Sequence, residues 1–218
     1  MNCQYCQGDC VKNGRQSNGQ QRFRCKTCCK SQQATYHYKA CQKPIRDLFL
    51  KCLKAGNSLR GITFITGISV NTQIRWIRKL GKVLKPPSAI RLYDEYELDE
   101  LCTYVGNKNR RRWVISAISR STGKVVAIKT GTRTAQSLKV VVDKLLCLSP
   151  IAIHTDRLIA YRSLIPPEIH KIKAHGINKI ERYHLNLRTH IKRLNRRTIC
   201  FAKRIDMLNH LVRLHAWN

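Results

Sequence analysis

The sequence predicts an α/β fold in which a mixed-sheet domain follows two small modules, a metal-stapled ribbon and a three-helix unit. Three observations carry that expectation. Two Cys-x-x-Cys pairs stand within the first 40 of 218 residues, three short runs of helical periodicity follow, and beyond residue 93 strand-like runs lead into helical ones. The charge balance adds a class of partner. Forty-two Lys and Arg oppose twelve Asp and Glu, a net charge of +30, and an excess of that size calls for a polyanion such as DNA or RNA. Hydrophobic residues make up 43%, enough for a packed core, which argues against wholesale disorder. The chain opens on Met1-Asn2-Cys3-Gln4 without an apolar signal core, and its eleven Cys are an odd count. No apolar run reaches the roughly 18 to 20 residues of a membrane helix. The expectation is a soluble nucleic-acid-binding protein of a reducing compartment, with no membrane partner.

Residues 1–40 hold too few aliphatic side chains to bury a core unaided, so something must staple them. Cys3 and Cys6 form one knuckle, Cys25 and Cys28 the other, with residues 7–24 between them. Each knuckle offers two thiolates, and four soft ligands satisfy one tetrahedral Zn²⁺. A structural zinc ribbon is expected, with Arg22-Phe23-Arg24 as a short strand entering the second knuckle. Cys10 and Cys29 lie close enough in sequence to compete as ligands. The bland alternative is a set of unrelated thiols or a redox pair.

From Pro44, apolar residues recur at helical spacing: Ile45, Leu48, Phe49, Cys52 and Leu53. Ala55-Gly56 ends that helix, and Asn57 or Ser58 caps a second with Leu59, Ile62 and Ile65 as its stripe. Gly67-Ile68-Ser69 turns the chain into a third helix over 70–80 that buries Val70, Ile74, Ile77 and Leu80. Three short helices with Gly at the second turn predict a helix-turn-helix module over 41–82. Its third helix is expected to present Asn71, Thr72, Gln73, Arg75, Arg78 and Lys79 to DNA. A generic three-helix bundle with a basic face is the alternative. Residues 83–92, with Pro86-Pro87, read as a linker.

The last part, 93–218, opens with strand-like runs at 97–105, 113–118 and 124–129, the latter two joined by a turn at 120–123. A helix at 134–148 with Thr134 as cap, a buried strand at 151–155 and a further strand at 170–173 follow. A long helix from 177, carrying Ile180, Leu187, Ile191 and Leu194, and a last helix over 202–217 complete the domain. Three antiparallel strands, a helix, a strand and then helices suit an RNase H-like fold, the retroviral-integrase-like mixed sheet. With so few acids in the chain, their placement is informative. Asp94, Glu95, Glu97, Asp99 and Glu100 crowd the first strand, Asp156 follows the buried strand, and Glu181 lies early on the long helix. Ligands of open α/β sheets bind at strand ends. Converging carboxylates there need divalent cations, and two Mg²⁺ roughly 3.5 to 4 Å apart suit phosphodiester chemistry. Taken singly, each acid has a simpler role: Asp156 as a cap, Glu181 paired with Arg188 or Lys192, Asp99 as a solvated patch member.

At these residues the chain resembles the transposases of the bacterial Insertion Sequence One family. The matching stretches are Cys3-Gln4-Tyr5-Cys6, 22–28, 67–72, Leu98-Asp99-Glu100 leading to 105–108, Thr155-Asp156 with Tyr161, Ile180-Glu181-Arg182, and 185–194 continuing to 197–201. Leu101 and Cys102 stand where the family has Trp, and Arg157-Leu158 where it has an acid and Trp. The resemblance implies a DDE-type enzyme with Asp99, Asp156 and Glu181 as the Mg²⁺-binding triad. It also implies a phosphate-steering role for Arg188, seven positions after Glu181 on the same helix face. The implied activity is binding of terminal inverted repeats, metal-dependent end cleavage and strand transfer into target DNA, in the bacterial cytoplasm. Electrostatics makes the basic C-terminal segment, with Lys192, Arg193, Arg196 and Arg197, the DNA track. One site per chain against two ends predicts a homo-oligomer on DNA. The alternative is a catalytically inert zinc-dependent DNA-binding regulator derived from such an enzyme.

Overall fold

The computed structural model describes residues 1–17, 19–35, 38–86, 92–172, 177–195 and 200–217. Arg196, Arg197, half of the expected linker and the last residue of the expected strand at 170–173 therefore lie outside the described residues. The chain forms two compact units, 1–48 and 49–218, with the boundary inside one helix.

The first unit is built on a three-stranded antiparallel sheet in the order β1 (Cys10–Arg15), β2 (Gln21–Cys25), β3 (Ser31–Gln33). Most of its surface is exposed, as its composition requires. Among its described residues, Cys3, Cys25, Gln32, Gln33 and Ala40 are buried. Gln32 accepts from the Gln4 amide at 2.8 Å and donates to the Asn2 carbonyl at 3.0 Å, which ties the first knuckle to β3.

In the second unit, α2 (Leu59–Thr66) and α3 (Val70–Val83) follow α1 (Lys43–Lys54). Ser58, one of the two expected caps, accepts from the Gly61 amide, and Gly67 closes α2 at φ 70, a left-handed turn open to glycine. Ser69 then caps α3 by accepting from Thr72. Phe49, Ile62 and Ile77 share one apolar cluster with Met207, Leu211 and Leu214 of the last helix, α6 (Ile205–Trp217). Gly81 permits that approach, because a Cβ there would lie 2.5 Å from the His210 Cβ. Ile65, expected in the stripe of α2, is instead half exposed beside a nearly bare Phe64.

The five-stranded sheet runs β6 (Val125–Gly131), β5 (Asn107–Ser119), β4 (Glu95–Val105), β7 (Ala152–Thr155), β8 (His170–Ile172). β4, β5 and β6 pair antiparallel, while β7 and β8 run parallel to β4. This is the RNase H-like mixed sheet. The strict period of two in β4 sorts its side chains. Tyr96 and Leu98 face the cluster built with α4 (Ala135–Leu146), whereas Leu101 and Val105 face α5 (Asn178–His190) and α6. The expected long helix stops at His190. Ile191 leaves helical geometry at φ −107, ψ 85, and a single 3-10 turn at Lys192–Leu194 carries Leu194 into the core.

Candidate functional site

Two groups of metal-capable side chains form among the described residues. In the first, one sulfur each from Cys3, Cys6, Cys25 and Cys28 lies within 4.8 Å of every other. Sγ of Cys3 is 3.6 Å from that of Cys28, and Cys6 is 3.5 Å from Cys25. A tetrahedron with Zn–S bonds of about 2.3 Å has edges of about 3.8 Å, so the group fits one zinc ion. The knuckles are built alike. The residue after each second cysteine, Gln7 and Cys29, has a left-handed φ of 62 and 58. Each donates its amide back to the first cysteine's carbonyl, at 3.0 and 3.1 Å. Amides also point at sulfur: Tyr5 N–H to Cys3 and Cys28 N–H to Cys25, both at 3.4 Å. The Cys28 amide leads the effects that lower the Cys25 thiol to about 6. The Gly8 amide draws Cys6 down, yet the Cys25 and Cys28 thiols outweigh it and push Cys6 up to about 12. Cys10 and Cys29 stand outside the group of four. Cys10 instead accepts from the Gln32 side chain at 3.4 Å.

The second group joins Asp99, Glu100 and Asp156 within the same 4.8 Å. The pairing of β4 with β7 runs from Glu95 to Glu97, so β4 continues past the end of β7, where Asp156 follows Thr155. Asp99 and Glu100, on opposite faces of β4, converge at that open edge. Asp156 is held by the Leu158 amide on Oδ1 at 2.9 Å. A trio of carboxylate oxygens so placed is a hard donor set of the kind Mg²⁺ takes.

Each neighbour has its own holder. Glu100 is buried on the α4 side, where Tyr161 donates its hydroxyl and the Arg133 Nε donates at 2.9 Å. Arg133 also approaches Asp156 to 3.9 Å, and its guanidinium lies 4.6 Å from the centre of the Trp113 ring. Burial raises the Glu100 carboxyl above its ordinary range, against the pull of Tyr161 and Arg133 and helped by Asp156. On the other face, Asp99 meets His184 of α5, with Nδ1 3.2 Å from Oδ2. Nε2 of His184 lies 2.7 Å from the Ser116 hydroxyl. Two residues earlier, the buried Glu97 accepts from the Ile180 amide at 2.8 Å and pairs with Arg120 at 3.2 Å.

The expected triad is thus only partly gathered. Asp99 and Asp156 meet, but Glu181 is exposed on the first turn of α5 and is not in the group; Glu100 is there instead. Arg188 is half-buried further along α5. On α3, Asn71, Arg75, Arg78 and Lys79 are exposed and Thr72 is half-buried. Gln73 corrects the expectation of an exposed base-reading residue. It is fully buried, and its Nε2 donates to the Leu59 carbonyl, the Thr63 hydroxyl and the Ile68 carbonyl at 2.8 to 3.1 Å, bracing the turn between α2 and α3. Lys192 is exposed and Arg193 half-buried. His184, Arg133 and Ser116 escaped the sequence reading. The only signal for His184 was its place on the apolar stripe Ile180–Leu187, where an imidazole needs partners.

The profile of the IS1 transposase family matches residues 95–216, which contain the whole acidic group. The chain belongs to the IS1 transposase family. Insertion element IS1 protein InsB of Shigella flexneri is 34% identical over 116 residues, 53% of this chain and 88% of that protein. Insertion element IS1 4 protein InsB of Escherichia coli (strain K12) has the same identity over 53% of this chain and 70% of its own length. Among solved structures, a chain of the simian T-cell lymphotropic virus intasome in complex with PP2A regulatory subunit B56 gamma aligns with 79% of this chain at 14% identity and a TM-score of 0.38. This chain spans 64% of that one, less than two thirds of its length. Membership in the IS1 family gives the chain a transposase role and makes it a DNA-processing enzyme of the nuclease type. No helix among the described residues is long and apolar enough to cross a membrane.

Proposed function

We propose that the protein is the DNA transposase of an insertion sequence. It binds the terminal inverted repeats, hydrolyses a phosphodiester at each end and joins the freed 3′-hydroxyl to target DNA in the bacterial cytoplasm. The observation that carries the reading is the meeting of Asp99 and Asp156 past the end of β7, inside the stretch that matches the IS1 profile. Asp99, Asp156 and Glu181 hold the catalytic cations. Two bound Mg²⁺ supply an activated oxygen nucleophile and neutralise charge on the leaving oxygen. Glu181 joins the site from the turn of α5 that precedes His184, the residue in reach of Asp99. Arg188, two turns after Glu181, draws a DNA phosphate toward the acids.

Residues 1–40 act as a zinc ribbon with Cys3, Cys6, Cys25 and Cys28 as ligands, and 41–82 as the DNA-reading helix-turn-helix. Asn71, Thr72 and Arg75 reach base edges while Arg78 and Lys79 hold phosphates. Gln73 supports them from inside. Lys192 and Arg193 continue the phosphate track into the segment of Arg196 and Arg197. Residues 83–92 link these modules to the catalytic part, 93–218. A homo-oligomer follows from one acidic centre among the described residues of each chain against two ends.

The test is a plasmid bearing the gene with its flanking DNA, incubated with purified protein and Mg²⁺ and mapped for strand breaks at nucleotide resolution. Breaks at a pair of inverted-repeat boundaries, absent with Asp156→Asn and Glu181→Gln although both still bind the DNA, are expected. Protection of those boundaries without breaks overturns the catalytic reading in favour of an inert DNA-binding regulator.

A further inference from the structure

Asp99 and the helix that carries Glu181 are joined by one side chain. His184 lies buried between β4, β5 and α5, with Nδ1 3.2 Å from Asp99 Oδ2 and Nε2 2.7 Å from Ser116 Oγ. Asp99 and Ser116 are register partners on adjacent strands, so the imidazole spans the pair from above. An ionised carboxylate only accepts, whereas a hydroxyl can donate. A single neutral tautomer satisfies all three groups: Nδ1–H donates to Asp99, and the Nε2 lone pair accepts from Ser116.

We propose that His184 is the positioning residue of the acidic centre, fixing the Asp99 carboxylate and the register of α5 against β4. The proposal rests on the transposase reading of Asp99 and Glu181. The geometry behind it is a match of repeats. Glu97 and Asp99, two residues apart, point to the same face of β4, about 6.8 Å apart. Their partners on α5, the Ile180 amide and the His184 ring, are four residues apart, about 6 Å along a helix. Two carboxylates of one strand therefore index two successive turns of the helix. Glu181 and Arg188 take their places from that index, since a one-residue slip rotates the helix by about 100°. With Oδ2 held, the Asp99 carboxylate also loses its freedom to rotate away from Asp156.

The first measurement needs no catalysis. In the zinc-loaded protein without Mg²⁺ or Mn²⁺, labelled with ¹⁵N-histidine, His184 is expected as the Nδ1–H tautomer, its signal identified by its loss in His184→Asn. An Nε2–H tautomer overturns the proposal. The second compares Mn²⁺ binding, followed by electron paramagnetic resonance, across two polar replacements. Asn places its amide nitrogen near the position of Nδ1, and Gln places its own near Nε2. Binding by His184→Asn is expected within about threefold of the unsubstituted protein, and His184→Gln about 10- to 100-fold weaker, as for other residues that orient metal ligands. Plasmid cleavage should follow the same order while DNA retention stays constant. Equal losses in the two variants mark a packing role and overturn the proposal. So does unchanged Mn²⁺ binding and cleavage in His184→Gln where Asp99→Asn is inactive, and that result leaves the transposase reading standing. Full cleavage by Asp99→Asn removes the transposase chemistry itself.

Discussion

The cysteine group and the acidic group are both sets of metal-capable atoms within 4.8 Å of one another, yet they are assembled in opposite ways. The four sulfurs come from two knuckles of the same local design, each with its left-handed residue and its own amide-to-carbonyl return. The three carboxylates come from adjacent, oppositely facing residues of β4 and from the end of β7, and each is held by a different partner. Local repetition makes the first group tolerant of its surroundings. The second exists only while the sheet, α4 and α5 are all in place.

Four experiments press on that contrast. The largest effect is expected for Cys25→Ser. It should drop zinc from about one ion per chain to none and open 1–40 to proteases, because zinc binding of this kind contributes on the order of 10 to 16 kcal/mol. Cys10→Ser should keep its zinc, and loss there would mean that the four-sulfur group is wrongly drawn. Next, Asp156→Asn should lower plasmid cleavage at least about a thousandfold, several kcal/mol of transition-state stabilisation, with zinc content untouched. Parallel loss of zinc would mean that the two groups are not independent.

A smaller effect belongs to Tyr161→Phe, which removes the hydroxyl that donates to buried Glu100. Chemical denaturation should show a cost of about 1 to 3 kcal/mol, whereas a Tyr5→Phe control in the ribbon should show none. The smallest concerns Asp94. Burial pushes its carboxyl up, but the Ser119 and Ser121 hydroxyls and the Glu95 amide overcome that and hold it below its ordinary 3.8. A lowered folded-state pKa contributes stability that is complete above the ordinary value and is lost as pH falls through the folded one. Asp94→Asn should thus be less stable than the unsubstituted protein at pH 6, with the gap closing below about pH 4. A gap that widens in acid would reverse the sign.

Where spacing along the chain carries the information, the sequence reading reached the structure closely. The knuckle spacing pointed to Cys3, Cys6, Cys25 and Cys28, the recurrence of apolar residues at helical spacing to α1, α2 and α3, and the strand-like runs to β4, β5 and β6. Its errors share a cause. Gln73 reads as exposed because glutamine usually is, yet three acceptors of the α2–α3 turn converge on its amide. The long helix ends early because Leu194 packs into the core from a 3-10 turn, which periodicity cannot distinguish from helix.

Composition and the spacing of near neighbours carried the α/β class, the paired cysteine knuckles and the acidic bias of the first strand, and short matching stretches of residues carried the family resemblance. Long-range packing puts Glu100 rather than Glu181 beside Asp99 and Asp156, and sets His184 and Ser116 behind Asp99. Asp156 lies 56 positions from Glu100 along the chain, and His184 lies 85 from Asp99 and 68 from Ser116. Their closeness follows from strand pairing and from the seating of α5 on β4, and neither leaves a periodic trace in the chain.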